Sequence, residues 1–208
     1  MKTTAHKISY YIINGITLYR VLAAPFLLFI LFKEEYEIFK WLLLVSFFTD
    51  FIDGFLARKF KVTSVIGTRL DSLGDDLTVL VAVIGLYKTH PVFIKEQLVF
   101  FIVLFLLFIV QVSLAFMRYK RLTNFHSYLA KLAAFAQGVF LLLAFFFDGP
   151  AMFLFYAAVL ITFLELVEEI ILVGLLPRWK TNIKGIYWVL KKRKSRASQN
   201  KVKKEATG

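Results

Sequence analysis

Six stretches of about 20 mostly apolar residues follow one another along the 208-residue chain. A helix needs a run of this length and composition to cross the hydrocarbon core of a bilayer. Hydrophobic residues make up 59% of the chain, above the roughly 45–50% that is typical of soluble domains. We therefore predict an all-α polytopic membrane protein and exclude a soluble enzyme. The six predicted spans are 12–32, 37–57, 66–88, 93–117, 127–147 and 151–176.

The positions of the basic residues indicate which ends of the spans face the cytoplasm. Of the 26 Lys and Arg residues, eleven lie in 178–208, where Glu205 is the only acid. The second and fourth loops are also basic, whereas the bases near the first and third loops are mixed with acids and the fifth loop carries no base. The positive-inside rule then predicts that both termini and the second loop, 58–65, are cytoplasmic. The expected location is a bacterial cytoplasmic membrane.

The basic C-terminal segment also bears on the choice of partner. Beside a membrane span, a cluster of Lys and Arg favours anionic lipid headgroups over nucleic acid. We expect a short amphipathic helix at 181–194 on the membrane surface and a disordered chain beyond it. Membrane lipid is therefore an expected partner and nucleic acid is not.

Four aspartates interrupt the second and third apolar stretches. Asp50 and Asp53 are three residues apart and Asp71 and Asp75 are four apart, so each pair shares one helix face. Counted from the loop between the spans, Asp53 and Asp71 lie ~7.5 Å deep, Asp50 ~12 Å and Asp75 ~13.5 Å. Four neighbouring carboxylates in a low dielectric require cations. Oxygen ligands of this kind favour two Mg²⁺ or Mn²⁺ ions.

Two other interpretations of these acids are open. The acids could be solvated at the interface or paired with basic neighbours such as Arg58 and Arg69. They could also line the ion path of a cation transporter, but a transporter predicts acids spread through the bilayer depth. The four aspartates instead lie in one half of the bilayer, close to Arg58, whose planar guanidinium can bind a phosphate. Gly54 and Gly67 adjoin them and permit close approach of a ligand.

Eight residues of the second and third apolar stretches and the loop between them have the spacing Asp50-x2-Asp53-Gly54-x2-Ala57-Arg58-x8-Gly67-x3-Asp71-x3-Asp75. This spacing resembles the signature of the CDP-alcohol phosphotransferase family at every fixed position. The run Asn14-x2-Thr17-x2-Arg20 also resembles the family's first-span motif. The resemblance implies a membrane enzyme of phospholipid biosynthesis, with residues 1–177 as its catalytic domain. Such an enzyme transfers a phosphatidyl group from CDP-diacylglycerol to an alcohol and releases CMP.

The resemblance also implies roles for individual residues. The four aspartates would hold two divalent cations at the donor diphosphate, and Asp75 would be the base that takes the proton of the acceptor hydroxyl. The residues expected at the nucleotide and donor are Asn14, Thr17, Gly54, Ala57, Arg58, Ser64 and Gly67. Those expected at the acceptor are Arg118, Arg121 and Lys131. Homodimers occur in this family, so a second copy of the chain is a further candidate partner.

The identity of the acceptor is less constrained by the sequence. The first-span motif and the compact length resemble the branch that uses glycerol 3-phosphate. That branch commonly has Pro after the third aspartate and Lys after the fourth, where this chain has Ser72 and Asp76. The run 71–75 is closer to the serine- and inositol-linked branches. We expect glycerol 3-phosphate, with inositol phosphate, serine, choline or another amino-alcohol as alternatives.

Three further acids lie in the sixth apolar stretch. Glu165, Glu168 and Glu169 are spaced i, i+3 and i+4, so they lie partly on one helix face. Two interpretations are open: the acids pair with Lys131 or Arg69 inside the bundle, or they bind a cationic headgroup of the acceptor.

Overall fold

The computed structural model describes residues 22–60, 65–120, 125, 127–147, 149–177 and 183–205, and for 50–51, 53–60, 65–72 and 196–205 it describes the backbone alone. Every regular element in this part of the chain is an α-helix, which confirms the all-α prediction for the described residues. The helices are α1 (Leu22–Phe32), α2 (Tyr36–Phe60), α3 (Val65–Thr89), α4 (Pro91–Glu96), α5 (Leu98–Tyr119), α6 (Tyr128–Phe146), α7 (Met152–Leu175) and α8 (Ile186–Glu205).

Two of these helices, α5 and α6, are long and apolar enough to cross a membrane, among the residues that the structure describes. Many of the large apolar side chains of α5 are exposed on the protein surface, among them Val99, Phe105 and Met117. Exposed apolar surface of this extent is typical of a lipid-facing helix. Helices α2, α3 and α7 are as long as α5 but carry acidic residues in their interiors.

The predicted fourth span, 93–117, is not one continuous helix. Helix α4 begins at Pro91, a residue that favours the first helical turn, and ends at Glu96. Gln97 follows as the C-cap, and its N–H donates to Phe93 O at 3.0 Å. The long apolar helix α5 starts only at Leu98. The break lies at Gln97, the last residue of the polar run Lys95–Glu96–Gln97. The prediction was therefore wrong about continuity, and the apolar helix is displaced toward the C-terminus.

The chain divides into two compact units, of which the first comprises Met1–Leu98 and Gln137–Phe155. Its described core is rich in aromatic side chains. The Phe93, Phe140 and Phe155 rings contact one another, with centroids 5.0–6.2 Å apart. Phe39 and Phe145 form an edge-to-face pair at 5.3 Å. Helices α2 and α3 contact each other inside this unit, so its packing supports the pair of helices that carries the four aspartates.

The second unit comprises Val99–Ala136 and Tyr156–Gly208. Its buried core contains residues from the ends of α5 and α7 and from the segments beside α6 and α8: Ala115, Phe125, Leu172, Val173, Leu176 and Ile183. The Tyr119 hydroxyl lies 3.0 Å from Val173 O and 2.8 Å from Leu176 O, between which it shares its proton. Carbonyls in the last turn of a helix have no partner within the helix, and Tyr119 supplies one for the end of α7.

The C-terminal helix α8 is longer than the surface helix that the sequence predicts at 181–194. It runs from Ile186 to Glu205, through residues for which disorder was the expectation. No Gly or Pro interrupts this stretch, and its Lys, Arg, Ala, Gln and Glu residues have high intrinsic helix propensity.

Candidate active site

The four aspartates lie on α2 and α3, which contact each other and are linked by only the four residues 61–64. A connection this short is typical of neighbouring helices that run in opposite directions. Asp50 lies ten residues before the end of α2 at Phe60, and Asp75 lies ten residues after the start of α3 at Val65. At 1.5 Å per residue both are ~15 Å from the connection.

The other two aspartates are matched in the same way. Asp53 is seven residues before Phe60 and Asp71 is six residues after Val65, which corresponds to ~9–10.5 Å along the helices. The backbone therefore brings the aspartates to two corresponding levels on contacting helices. The side chains of Asp50, Asp53 and Asp71 lie outside the described side chains.

Asp75 is the member of the four whose side chain the structure describes. It is partly buried, and its Oδ1 is inaccessible to solvent. The following residue, Asp76, has an exposed side chain. A carboxylate oxygen that is withdrawn from water requires compensating positive charge or donors. Of the two adjacent acids, Asp75 is the more buried, and it is the one that shares a helix face with Asp71.

Two further hydroxyl residues, which were not predicted from the sequence, lie one helical turn beyond the aspartates on the same helix faces. Ser46 is four residues before Asp50 and Thr78 is three residues after Asp75, so both lie on the faces of the aspartates. Ser46 is 5% exposed and Thr78 is also buried. The Thr78 hydroxyl donates to Gly74 O at 2.8 Å. Their i−4 and i+3 spacing from the aspartates is the signal that could have identified them.

Several residues predicted for the donor site fall outside the described residues or side chains. Asn14, Thr17 and Ser64 lie outside the described residues. Gly54, Ala57 and Arg58 belong to α2 and Gly67 to α3, with only their backbone described. The described side chains contain no cluster of three acids or histidines suited to a metal ion, but three of the four aspartate side chains are not among them. The predicted metal site therefore stays a prediction.

The residues predicted for the acceptor belong to the second unit. Arg118 is exposed at the end of α5, with its guanidinium carbon 6.0 Å from the centroid of the Tyr119 ring. Lys131 is exposed in the first turn of α6, and its Nζ lies 5.6 Å from the centroid of the Tyr128 ring. Arg121 lies outside the described residues. Both described cations are accessible to an anionic ligand.

Two of the three acids of α7, Glu168 and Glu169, have partners that the sequence did not indicate. Glu169 is 6% exposed, and its Oε2 accepts a hydrogen bond from Gln111 Nε2 at 2.5 Å. The Phe125 N–H donates to Glu169 Oε1 at 3.4 Å, and the Ile186 N–H donates to Glu168 Oε1 at 3.2 Å. These two carboxylates therefore hold α5 and the segments at the starts of α6 and α8. The polar Gln111 within a mostly apolar helix is the sequence signal for this pairing.

The described residues thus form an all-helical fold with two helices apolar enough to cross a membrane, and with four aspartates on two contacting helices. The CDP-alcohol phosphatidyltransferase family profile matches residues 10–164, which is more than half of the chain and includes all four aspartates. The chain belongs to this family, whose members are membrane-associated transferases of phospholipid synthesis. This confirms the resemblance that the aspartate spacing indicated.

Three relatives share parts of the sequence. The chain is 31% identical over 94 residues to a CDP-diacylglycerol–glycerol-3-phosphate 3-phosphatidyltransferase of Aquifex aeolicus, covering 44% of this chain and 51% of that protein. It is 36% identical over 74 residues to a CDP-diacylglycerol–inositol 3-phosphatidyltransferase of Saccharomyces cerevisiae (36% and 33%). It is 31% identical over 88 residues to a cardiolipin synthase (CMP-forming)/mitochondrial hydrolase fusion protein of Schizosaccharomyces pombe (41% and 15%). The matched segments thus span about half of these relatives' length or less.

Proposed function

We propose that this protein transfers a phosphatidyl group from CDP-diacylglycerol to a small alcohol and releases CMP. The observation that carries the proposal is the matched placement of Asp50 with Asp75 and of Asp53 with Asp71 on the contacting helices α2 and α3. Membership of the CDP-alcohol phosphatidyltransferase family supports it. A cation transporter does not account for acids that are confined to two corresponding levels near one helix connection.

The donor set fits divalent cations. Four carboxylates offer oxygen ligands only, which hard ions such as Mg²⁺ or Mn²⁺ prefer. The residues that would hold two ions are Asp50, Asp53, Asp71 and Asp75. When bound, the ions would supply positive charge to the donor diphosphate and to the departing CMP oxygen.

The protein groups perform the remaining chemistry. Asp75 takes the proton from the acceptor hydroxyl, and the acceptor oxygen forms a bond to the phosphorus that bears the diacylglycerol. The bond from that phosphorus to the CMP oxygen breaks, and CMP leaves with the bonding electron pair. Arg58 binds a donor phosphate through its fork of N–H groups. The remaining donor-binding candidates are Asn14, Thr17, Gly54, Ala57, Ser64 and Gly67.

We propose glycerol 3-phosphate as the acceptor. Among the three relatives above, the one named for this acceptor shares the largest part of both chains. The exposed cations Arg118 and Lys131, with Arg121 nearby in sequence, suit an acceptor phosphate. Both oxygens of Glu169 accept hydrogen bonds from protein groups, which disfavours Glu169 as a site for a cationic acceptor such as choline. Inositol phosphate is the second candidate, supported by the relative from Saccharomyces cerevisiae.

We also propose six membrane spans, of which the first includes α1 and the others are formed by α2, α3, α5, α6 and α7, with both termini and the site on the cytoplasmic side of a bacterial membrane. Support comes from the second unit, where the end of α5 contacts the end of α7 through Tyr119. The start of α6 lies beside the same region, since the Tyr128 N–H donates to Lys184 O at 3.4 Å. These contacts support a common side for the basic residues of the fourth loop and of the C-terminal segment, as the positive-inside rule predicts.

The test is CMP release by the purified chain reconstituted in vesicles that contain CDP-diacylglycerol. We expect release with glycerol 3-phosphate, its loss on chelation of divalent cations, and its recovery with Mg²⁺ or Mn²⁺. Inositol phosphate, serine and choline are offered in parallel under identical conditions. Release with one of these alone would correct the acceptor, whereas cation flux across the vesicle without nucleotide chemistry would replace the enzyme by a transporter.

A further inference from the structure

Helix α8 has one packed face and one exposed face within the second unit. Ile186 and Val189 pack against the buried core of that unit. Tyr187 and Leu190 are 65% and 48% exposed, and Lys191 beside them is also exposed. With Lys194, these residues are spaced i, i+3, i+4 and i+7, so they form a continuous stripe along the helix. We call the stripe of Tyr187, Leu190, Lys191 and Lys194 the aromatic–basic face.

The start of α8 is attached to α7 and to the start of α6. The Ile186 N–H donates to Glu168 Oε1, and the Trp188 ring lies 5.5 Å from the Tyr128 ring. Gly185 has φ +140°, and a Cβ at this position would lie 2.9 Å from Glu168 Oε1. Only glycine adopts this backbone conformation readily and leaves room for the carboxylate. The chain is therefore built to bring α8 against the ends of α5 and α7.

If α5 and α7 cross the membrane, as proposed above, their ends indicate where α8 lies relative to the bilayer. Helices of 22 and 24 residues are ~33–36 Å long, which is enough to cross a hydrocarbon core of about 30 Å. Tyr119 at the end of α5 and Leu176 just beyond α7 belong to the same packed region as Ile186 and Val189. Helix α8 thus begins at the level where a spanning helix leaves the hydrocarbon.

The chemistry of the exposed face suits the headgroup region. Tyr and Trp rings favour the membrane–water interface, and Lys side chains bury their methylene stems while the ammonium stays in water. The Lys191 Nζ lies 5.9 Å from the centroid of the Tyr187 ring. The whole of α8 contains eight Lys and Arg residues and one acid, Glu205. Such a segment attracts anionic lipids of the membrane surface.

We propose that the aromatic–basic face of α8 lies on the membrane surface and binds the headgroups of anionic phospholipids. The proposal rests on the membrane-spanning arrangement proposed above but not on the catalytic activity. Two observations favour a lipid surface over nucleic acid: Leu190 is exposed, and α8 is attached to the ends of α5 and α7. A helix that binds nucleic acid needs basic residues but neither of these features.

The absence of Cys from the chain permits a direct test with a single spin label. Two variants of the full chain are prepared: Leu190→Cys, and the control Lys192→Cys on another side of the helix. Each is labelled with a nitroxide and reconstituted in phosphatidylcholine vesicles with or without phosphatidylglycerol. We expect phosphatidylglycerol to cause a several-fold loss of accessibility to a water-soluble relaxation agent at position 190, with much less change at 192. Equal changes at both positions would overturn the proposal, as would no change at either.

Paired charge reversals distinguish binding by the aromatic–basic face from attraction by the net charge of the whole segment. In the Leu190→Cys background, Lys191→Glu with Lys194→Glu should abolish the phosphatidylglycerol response, whereas Lys192→Glu with Arg193→Glu changes the net charge equally and should retain most of it. Equal losses would overturn the face-specific binding. Equal protection of the label by a single-stranded oligonucleotide in detergent would overturn it in favour of nucleic acid. CMP release measured on the same samples distinguishes failure of this proposal from failure of the proposed function.

Discussion

Acidic side chains occur inside the helices of both units, but their settings differ. In the second unit, Glu169 is buried against Gln111 and the Phe125 N–H, and Glu168 accepts from the Ile186 N–H. In the first unit, the aspartates of α2 and α3 stand at two matched distances from one helix connection. The first arrangement joins segments of the fold, and the second suits a ligand that needs several carboxylates at once. The role of a charged residue in an apolar helix therefore depends on the groups that it contacts. The free-energy cost of burying the charge does not by itself indicate that role.

The sharpest test of this difference is Asp75→Asn. Asparagine has nearly the same shape but does not accept a proton at neutral pH, so we expect CMP release to fall about 10²–10⁴-fold with little change in melting temperature. Asp76→Asn is the matched control, because Asp76 is adjacent and exposed, and it should retain most of the activity. A wild-type rate in Asp75→Asn would remove the base role from this residue.

For Glu169→Ala we expect a loss of stability with metal binding retained. This change leaves the Gln111 amide and the Phe125 N–H without their acceptor, which should lower the free energy of unfolding by about 3 kcal/mol. Denaturant titration in detergent measures the loss. Mn²⁺ binding, followed by electron paramagnetic resonance, should be retained by the fraction that is folded. Loss of Mn²⁺ binding in stable Glu169→Ala protein would contradict the division between structural and ligand-binding acids.

Packing in the first unit can be disturbed without touching an aspartate. A Cβ at Gly85 would lie 2.9 Å from the fully buried Phe39 ring and 3.1 Å from Phe145. We expect Gly85→Ala to destabilise the protein by about 1–3 kcal/mol through overpacking. Gly138→Ala is the control, since its Cβ would meet Phe47 at an ordinary 3.8 Å and Ala favours the helix. Similar melting temperatures for the two variants would show that the Phe39 ring moves aside freely.

The smallest effect is expected for an acid on the surface. Glu37 pairs with Lys40 at 2.6 Å, three residues along α2, but its side chain is 78% exposed. Glu37→Gln should change the free energy of unfolding by about 0.5 kcal/mol or less, as measured by the denaturant titration used for Glu169→Ala. A loss as large as that of Glu169→Ala would mean that exposure does not separate the two classes of acid.

Much of the helical pattern could be predicted from the sequence, because apolar runs of this length have few alternatives to helix in a membrane. The matched positions of the aspartates could also be predicted, since they depend on spacing within two helices that are adjacent in the chain. The break at Gln97 was not predicted, because a few polar residues beside a long apolar run do not by themselves indicate where one helix ends.

The partners of the α7 acids could not be predicted for a different reason. Gln111 and Glu169 are 58 residues apart in the chain, and Phe125 and Glu169 are 44 apart. A helical pattern specifies which residues share a face, but the face that another helix presents to it depends on packing. The same holds for the Tyr119 hydroxyl and the carbonyls of Val173 and Leu176, and for the glycine that Glu168 requires at position 185.

The sequence by itself determined the helical class of the protein, its family and the levels of its four aspartates, because these depend on composition and on spacing within neighbouring helices. The tertiary structure alone decided that Glu168 and Glu169 hold the segments at the starts of α6 and α8, and that α8 begins against the ends of α5 and α7. Contacts of this kind join residues far apart in the chain, and only packing selects among the many pairs that the sequence allows.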